Sequence, residues 1–161
     1  MRNLIMQETM DDYKKGRAMD YDLSKLSLQE CMLLDAVLGK LEADMMETEV
    51  IITKAEMNVM PGFKGMREST LEKILRNIMI NTVEFINPDP IEDIFTVISP
   101  FSTAELYKNE KGKHEIRITC SEYSRRFFLR PTKIAEIRRG ITDRFINGRK
   151  QIRRCRNGKC S

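Results

Sequence analysis

Eleven lysines and arginines crowd residues 130–161: Arg130, Lys133, Arg138, Arg139, Arg144, Arg149, Lys150, Arg153, Arg154, Arg156 and Lys159, against two acids, Glu136 and Asp143. This segment of net +9 ends a chain of net +4, so residues 1–129 carry net −5. Clustered cations release condensed counterions when they meet phosphates, which supplies the sequence-independent part of nucleic-acid affinity. The chemistry on offer is therefore neutralisation of a polyanion. Three smaller cationic groups precede the segment: Lys73 with Arg76, Lys108 with Lys111 and Lys113 around an interrupting Glu110, and Arg125 with Arg126.

Residue types that make and break bonds are sparse. His114 is the single histidine and lies next to a turn. Tyr123 has the nucleophile to attack a DNA phosphate, but no accompanying cluster of histidines, acids and arginines can be assembled around it. Neither a Gly-rich phosphate loop, a His-Glu metal motif nor a nucleophile elbow is present. Cys155 and Cys160 enclose Arg-Asn-Gly-Lys, a spacing that falls short of a zinc ligand set with only one histidine to complete it. Cys31 and Cys120 occupy apolar-periodic positions and read as small core residues. The expectation is a non-enzymatic protein with neither cofactor nor metal.

These groups need elements to hold them. Ser27-Leu28-Gln29-Glu30 is a capping box, and Leu28, Cys31, Met32, Leu34, Leu38 and Leu41 recur at helical spacing, predicting a helix over 27–43. The β-branched run 49–53 predicts a short strand. Thr53-Lys54-Ala55-Glu56 is a second capping box, opening a short helix that ends near Pro61-Gly62. Ser69-Thr70-Leu71-Glu72 predicts a third start, and Leu71, Ile74, Leu75, Ile78 and Met79 form its buried stripe to about Asn81. Strands follow at 83–86, stopped by Asn87-Pro88-Asp89-Pro90, and at 94–98. Segments 103–107 and 114–120 flank the polar, Gly-containing loop 109–113 as a hairpin. A short helix over 122–129, anchored by Phe127 and Phe128, is expected to be interrupted by Pro131. Residues 132–154 are helical again, with Ile134, Ile137, Ile141 and Phe145 in one stripe. Gly140 and Gly148 each cost that helix roughly 1 kcal/mol relative to alanine, so it is not expected to stand alone.

Helix, strand, helix, helix, then a charged hairpin is the order of a winged helix, in which the third helix can enter the major groove and the hairpin can lie along the backbone. The middle of the chain resembles the first winged-helix domain of iteron-type plasmid replication initiators. The opening Lys25-Leu26-Ser27-Leu28-Gln29-Glu30, the passage 71–85, Phe95-Thr96-Val97-Ile98-Ser99, the hairpin 107–118, and Ser121-Glu122-Tyr123 with Phe127-Phe128-Leu129 carry the likeness, which spans about 23–130. The resemblance implies DNA-backbone contacts, dimer contacts with a second copy, and an association with host replication proteins. Such initiators usually carry a second winged-helix domain that reads repeated origin sites. This chain ends before one would fit, so a truncated initiator or a derived regulator is expected.

The resulting expectation is an α+β protein: a flexible arm over 1–22, a winged-helix domain over 23–130, and a basic helical extension over 131–161. It would bind double-stranded DNA in initiation or control of replication. The expected contacts are Lys73, Arg76, Lys108, Lys111, Lys113, Arg125, Arg126, Arg138, Arg139, Arg144, Arg149, Lys150, Arg153 and Arg154. The alternative is a protein-interaction or dimerisation module without origin recognition, docking through the Ile134/Ile137/Ile141/Phe145 stripe. Attachment to anionic lipid ranks last, because that stripe is short and the chain has no Trp. No run approaches the roughly 18 apolar residues of a membrane span, and the charged N-terminus is unlike a secretory signal, so a cytoplasmic location is expected.

Overall fold

The structure, a computed structural model, describes residues 17–18, 21–86 and 95–156; for 17–18, 85–86 and 149–156 it describes the backbone alone. Most of the expected N-terminal arm, the turn at 87–90, Ile94, Lys159 and Cys160 lie outside the described residues.

Local chemistry accounts for the first helices. The hydroxyl of Ser27 accepts from the Glu30 amide at 3.1 Å, and the Glu30 carboxylate accepts from the Ser27 hydroxyl at 2.8 Å and faces the Ser27 amide. This box opens α1, Leu28–Ala43. Strand β2, Glu49–Ile52, follows β1, the two-residue pairing at Arg17–Ala18. Thr53 and Glu56 form the second box and open α2, Lys54–Val59. Lys40 of α1 ties these elements together, donating to the Ile51 carbonyl at 2.6 Å and to Glu56 at 2.8 Å. Burial alone would raise the Glu56 carboxyl. The hydrogen bonds from Lys40 and Thr53 outweigh it and hold the group below the usual carboxylate range.

The third helix, α3, spans Glu68–Met79. It starts earlier than the expected box at Ser69, which falls inside it, and its N-cap is Arg67, with no side-chain cap. The reason lies in the turn before it. Gly62 and Gly65 adopt φ of 83° and 70°, a left-handed backbone that glycine takes without strain. They deliver the chain to Arg67 in an extended conformation, so the helix begins at once with Glu68, an acid suited to the first turn.

Strand β3, Val83–Ile86, pairs with β4, Phe95–Ile98, and with β1, giving the antiparallel order β1-β3-β4. Strands β5, Phe101–Lys108, and β6, His114–Cys120, form a hairpin longer than the pattern predicts, with a register irregularity at Ser102. Strand β2 closes on the far side of β6, so the second sheet runs β2-β6-β5. Helix α4, Glu122–Phe127, is capped by Ser121 and ends before Phe128, which leaves helical geometry and is buried. Pro131 does not interrupt the next helix but begins it: α5 runs Pro131–Arg156. At the first helical position the missing proline N–H would have had no partner anyway.

The chain is thus α+β, with five helices and two small antiparallel sheets among the described residues. One core gathers Leu34, Val37, Leu38 and Leu41 of α1, Leu71, Ile74 and Ile78 of α3, Ile116 and Ile118 of β6, and Ile134, Ile137 and Ile141 of α5. The apolar stripe of the basic helix is therefore spent inside the molecule, against α1. Two close approaches make this possible. A Cβ at Gly39 would meet the Arg138 guanidinium at 3.3 Å, and one at Gly140 would meet Leu23 at 3.0 Å. The helix cost of these glycines is the counterpart of packing.

Cys31 and Cys120 are buried free thiols, as the periodicity predicts. Burial pushes the Cys120 thiol up to about 12 and the Cys31 thiol up as well. Neither is expected to react with a small maleimide in the native protein, whereas both react once guanidinium unfolds it. Intact-mass analysis after labelling checks this, and rapid native labelling of Cys120 would contradict the packing.

Candidate nucleic-acid interface

Two groups of exposed cations meet on neighbouring elements. The first belongs to α3. Its buried stripe, Leu71, Ile74, Leu75 and Ile78, fixes the opposite face outward, and that face carries Lys73 and Arg76. Arg76 faces Glu72 one turn earlier, at 3.9 Å. The second group is the β5–β6 loop. Asn109 organises it: its side-chain oxygen accepts from the amides of Lys111 at 2.9 Å and Lys113 at 3.0 Å, and its amide donates to the Lys113 carbonyl. Gly112 supplies the φ of 74° that the turn requires. This loop holds the exposed Lys111 and Lys113 at the tip and Lys108 beside them.

The two groups are joined at their base. His114, at the start of β6, lies 3.7 Å from Glu68 in the first turn of α3. Sequence pattern alone missed two further cations, Lys64 and Arg67, exposed in the turn that enters α3. The signal was present in Gly62-Phe63-Lys64-Gly65, where glycines at turn positions bracket a lysine. Among the described residues, Lys64, Arg67, Lys73, Lys108, Lys111 and Lys113 make no ion pair, which leaves these six side chains available to an anionic partner.

Several of the other expected contacts have different occupations. Arg138 donates to Asp35 at 3.0 Å and to Glu42 at 2.8 Å, fastening α5 to α1, and these hydrogen bonds raise its already high pKa. Arg144 donates to the Leu23 carbonyl and lies 3.1 Å from the Cys31 sulfur. Arg125 donates to the Leu129 carbonyl at 2.7 Å, and to the Leu41 and Asp44 carbonyls at 2.6 and 2.7 Å. The last two are terminal carbonyls of α1 that no helical amide satisfies. Arg126 is exposed and sits 5.2 Å from the Phe127 ring, while Arg139 is exposed. Arg149, Lys150, Arg153 and Arg154 fall on the last turns of α5, where the backbone alone is described.

Arg125→Ala is expected to cost about 2 kcal/mol, since it removes a charged donor from three carbonyls, of which, among the described residues, Asp44 alone keeps a bond, from the Glu47 amide at 3.2 Å. Chemical denaturation measures it. Arg125→Lys is expected to recover less than half, because one ammonium cannot span the three acceptors. Unchanged stability in Arg125→Ala would show that the guanidinium does not hold the end of α1.

The outer face of the β2-β6-β5 sheet has a different character. Arg117 pairs with Glu49 at 3.2 Å and Glu105 at 3.5 Å and lies over the Tyr107 ring at 4.5 Å. Tyr107 in turn donates to Glu115 at 3.2 Å. With three acids around one arginine, this face repels phosphate, unlike the cationic surface of α3, the turn before it and the hairpin tip.

Among the described residues no group of three or more His, Cys, Asp or Glu side chains converges as a metal site, and no helix is long and apolar enough to cross a membrane. Comparison with known families, curated proteins and solved structures found no match to this chain.

Proposed function

We propose that this protein binds double-stranded DNA as a winged-helix module and acts in initiation or control of replication, like the plasmid initiators its sequence resembles. The observation that carries the reading is the juxtaposition of the exposed cations Lys73 and Arg76 on α3 with those of the β5–β6 hairpin, linked through Glu68 and His114. The element order supports the winged-helix assignment: α1, β2, α2, α3, then a hairpin onto which β2 closes antiparallel. Phosphate contacts need cations held at fixed spacing, and both groups sit on elements anchored in the core.

The basic end of α5 has a supporting role in this reading. Its first five turns are part of the globule, so cutting from residue 132 would remove Ile134, Ile137 and Ile141 from the core. The informative truncation ends after residue 148. That shortened chain is expected to keep duplex binding with an affinity reduced about tenfold, through loss of the terminal cations. The triple change Lys108→Gln, Lys111→Gln, Lys113→Gln in the full chain is expected to weaken binding by a comparable factor. Fluorescence anisotropy with a short duplex reads both. Complete loss on truncation, with no effect of the hairpin changes, would move the interface to the tail and reject the α3–hairpin surface.

A second reading, a protein-interaction module, draws on β4, an edge strand whose Phe95 is 67 % exposed and Val97 47 % exposed. It predicts concentration-dependent association, measured by sedimentation, that Phe95→Ser abolishes while duplex binding stays unchanged.

A further inference from the structure

The outward face of α3 carries a single line of side chains that differs from the rest of the cationic surface. Ser69, Lys73, Arg76 and Ile80 follow one another at spacings of four, three and four residues, so they stack on one side of the helix. All four are exposed, opposite the buried Leu71, Ile74, Leu75 and Ile78. The line spans roughly 16 Å along the axis, about five base-pair steps of duplex. Ile80 is its anomaly. It is the C-cap residue of α3, its amide still bonded to the Arg76 carbonyl at 3.1 Å, yet its side chain is 75 % exposed. An apolar side chain held outward within a cationic line has no role in phosphate neutralisation. Arg76, one turn before it, is also no free surface cation, because Glu72 faces its guanidinium.

These features suit a different job. In the major groove, guanine offers two acceptors to a guanidinium fork, and thymine offers a methyl group to an apolar side chain. An exposed arginine with a carboxylate 3.9 Å away, followed one turn later by an exposed isoleucine, matches that pair of targets. We propose that Arg76 and Ile80 read base edges in the major groove, a guanine and a thymine about two base pairs apart, while Lys73 and the hairpin lysines hold phosphates. The inference rests on the duplex-binding reading and adds sequence discrimination to it. Duplex DNA is chosen over a protein partner because Ile80 is in register with Lys73 and Arg76, and the unpaired Lys64, Arg67 and hairpin lysines surround the same helix.

The test is selection of full-length protein on a randomised duplex library, followed by affinities for the winning site. Wild type is expected to enrich a site with a G and a T at fixed separation. Arg76→Ala should reduce discrimination at the G position by about tenfold or more, and Lys73→Gln should weaken all sequences alike. Replacing the selected thymine with deoxyuridine deletes only the methyl group. It should cost wild type several-fold in affinity and cost Ile80→Ala nothing, all three variants being exposed changes that leave the fold intact. Binding to random duplex without any base enrichment, or a deoxyuridine penalty that persists in Ile80→Ala, would overturn the base-reading assignment and leave general DNA binding standing. Absence of duplex binding altogether would overturn both.

Discussion

Ile134→Asp is expected to leave the protein without a cooperative thermal transition. Ile134 is fully buried in the core shared by α1 and α5. An unpaired carboxylate there carries a desolvation cost of several kcal/mol on top of the lost apolar burial of about 2 kcal/mol. That sum is comparable with the whole stability of a typical domain. Ile134→Val, which removes one methyl group, is expected to cost about 1 kcal/mol. Ile146→Asp, on an exposed part of the same helix, is expected to change stability by under about 0.5 kcal/mol. Melting curves followed by circular dichroism distinguish the three. If Ile134→Asp melted like wild type and lost only self-association, the stripe would be a docking surface and the packing of α5 on α1 would be wrong.

The second large effect concerns binding with the fold untouched. The double reversal Lys73→Glu, Arg76→Glu is expected to weaken duplex binding by about a hundredfold or more. Each cation is worth about 1–3 kcal/mol at a nucleic-acid contact, and each reversal adds repulsion. Both side chains are exposed, so the melting temperature is expected to stay near that of wild type. Arg138→Glu should behave in the opposite way. It places a third acid beside Asp35 and Glu42, loosens α5 and lowers stability, with a smaller effect on DNA. A double reversal that binds as wild type would remove α3 from the interface. These two variants separate arginines that build the globule from cations that face outward, a distinction that charge counts cannot make.

The parts of the fold that were legible in the sequence are those whose causes are local. Both capping boxes, at Ser27 and Thr53, act within four residues and formed as predicted. The hairpin loop follows from Asn109 and Gly112 acting on their own neighbours. The start of α3 depends instead on the two left-handed glycines of the preceding turn, so the Ser69 signature was a false start. Long-range partners were not legible. The stripe on α5 could be read, but not that α1 covers it, and the +9 segment gives no hint that Arg138 and Arg144 are held by residues 96 to 121 positions earlier. Conversely, Lys64 and Arg67 lie outside any charge run; the glycines around Lys64 hint at the turn, and the exposure of that turn before α3 marks both.

The most direct measurement is the salt dependence of duplex affinity for the full chain. Six or so phosphate contacts, as α3, its preceding turn and the hairpin supply, require log affinity to fall against log salt with a slope of about −5 or steeper. The Lys73→Glu, Arg76→Glu protein should show a slope shallower by about one, the share of the Lys73 phosphate contact. A flat salt dependence, or no duplex binding even in dilute buffer, would contradict the account and turn attention to the exposed edge at Phe95 and Val97.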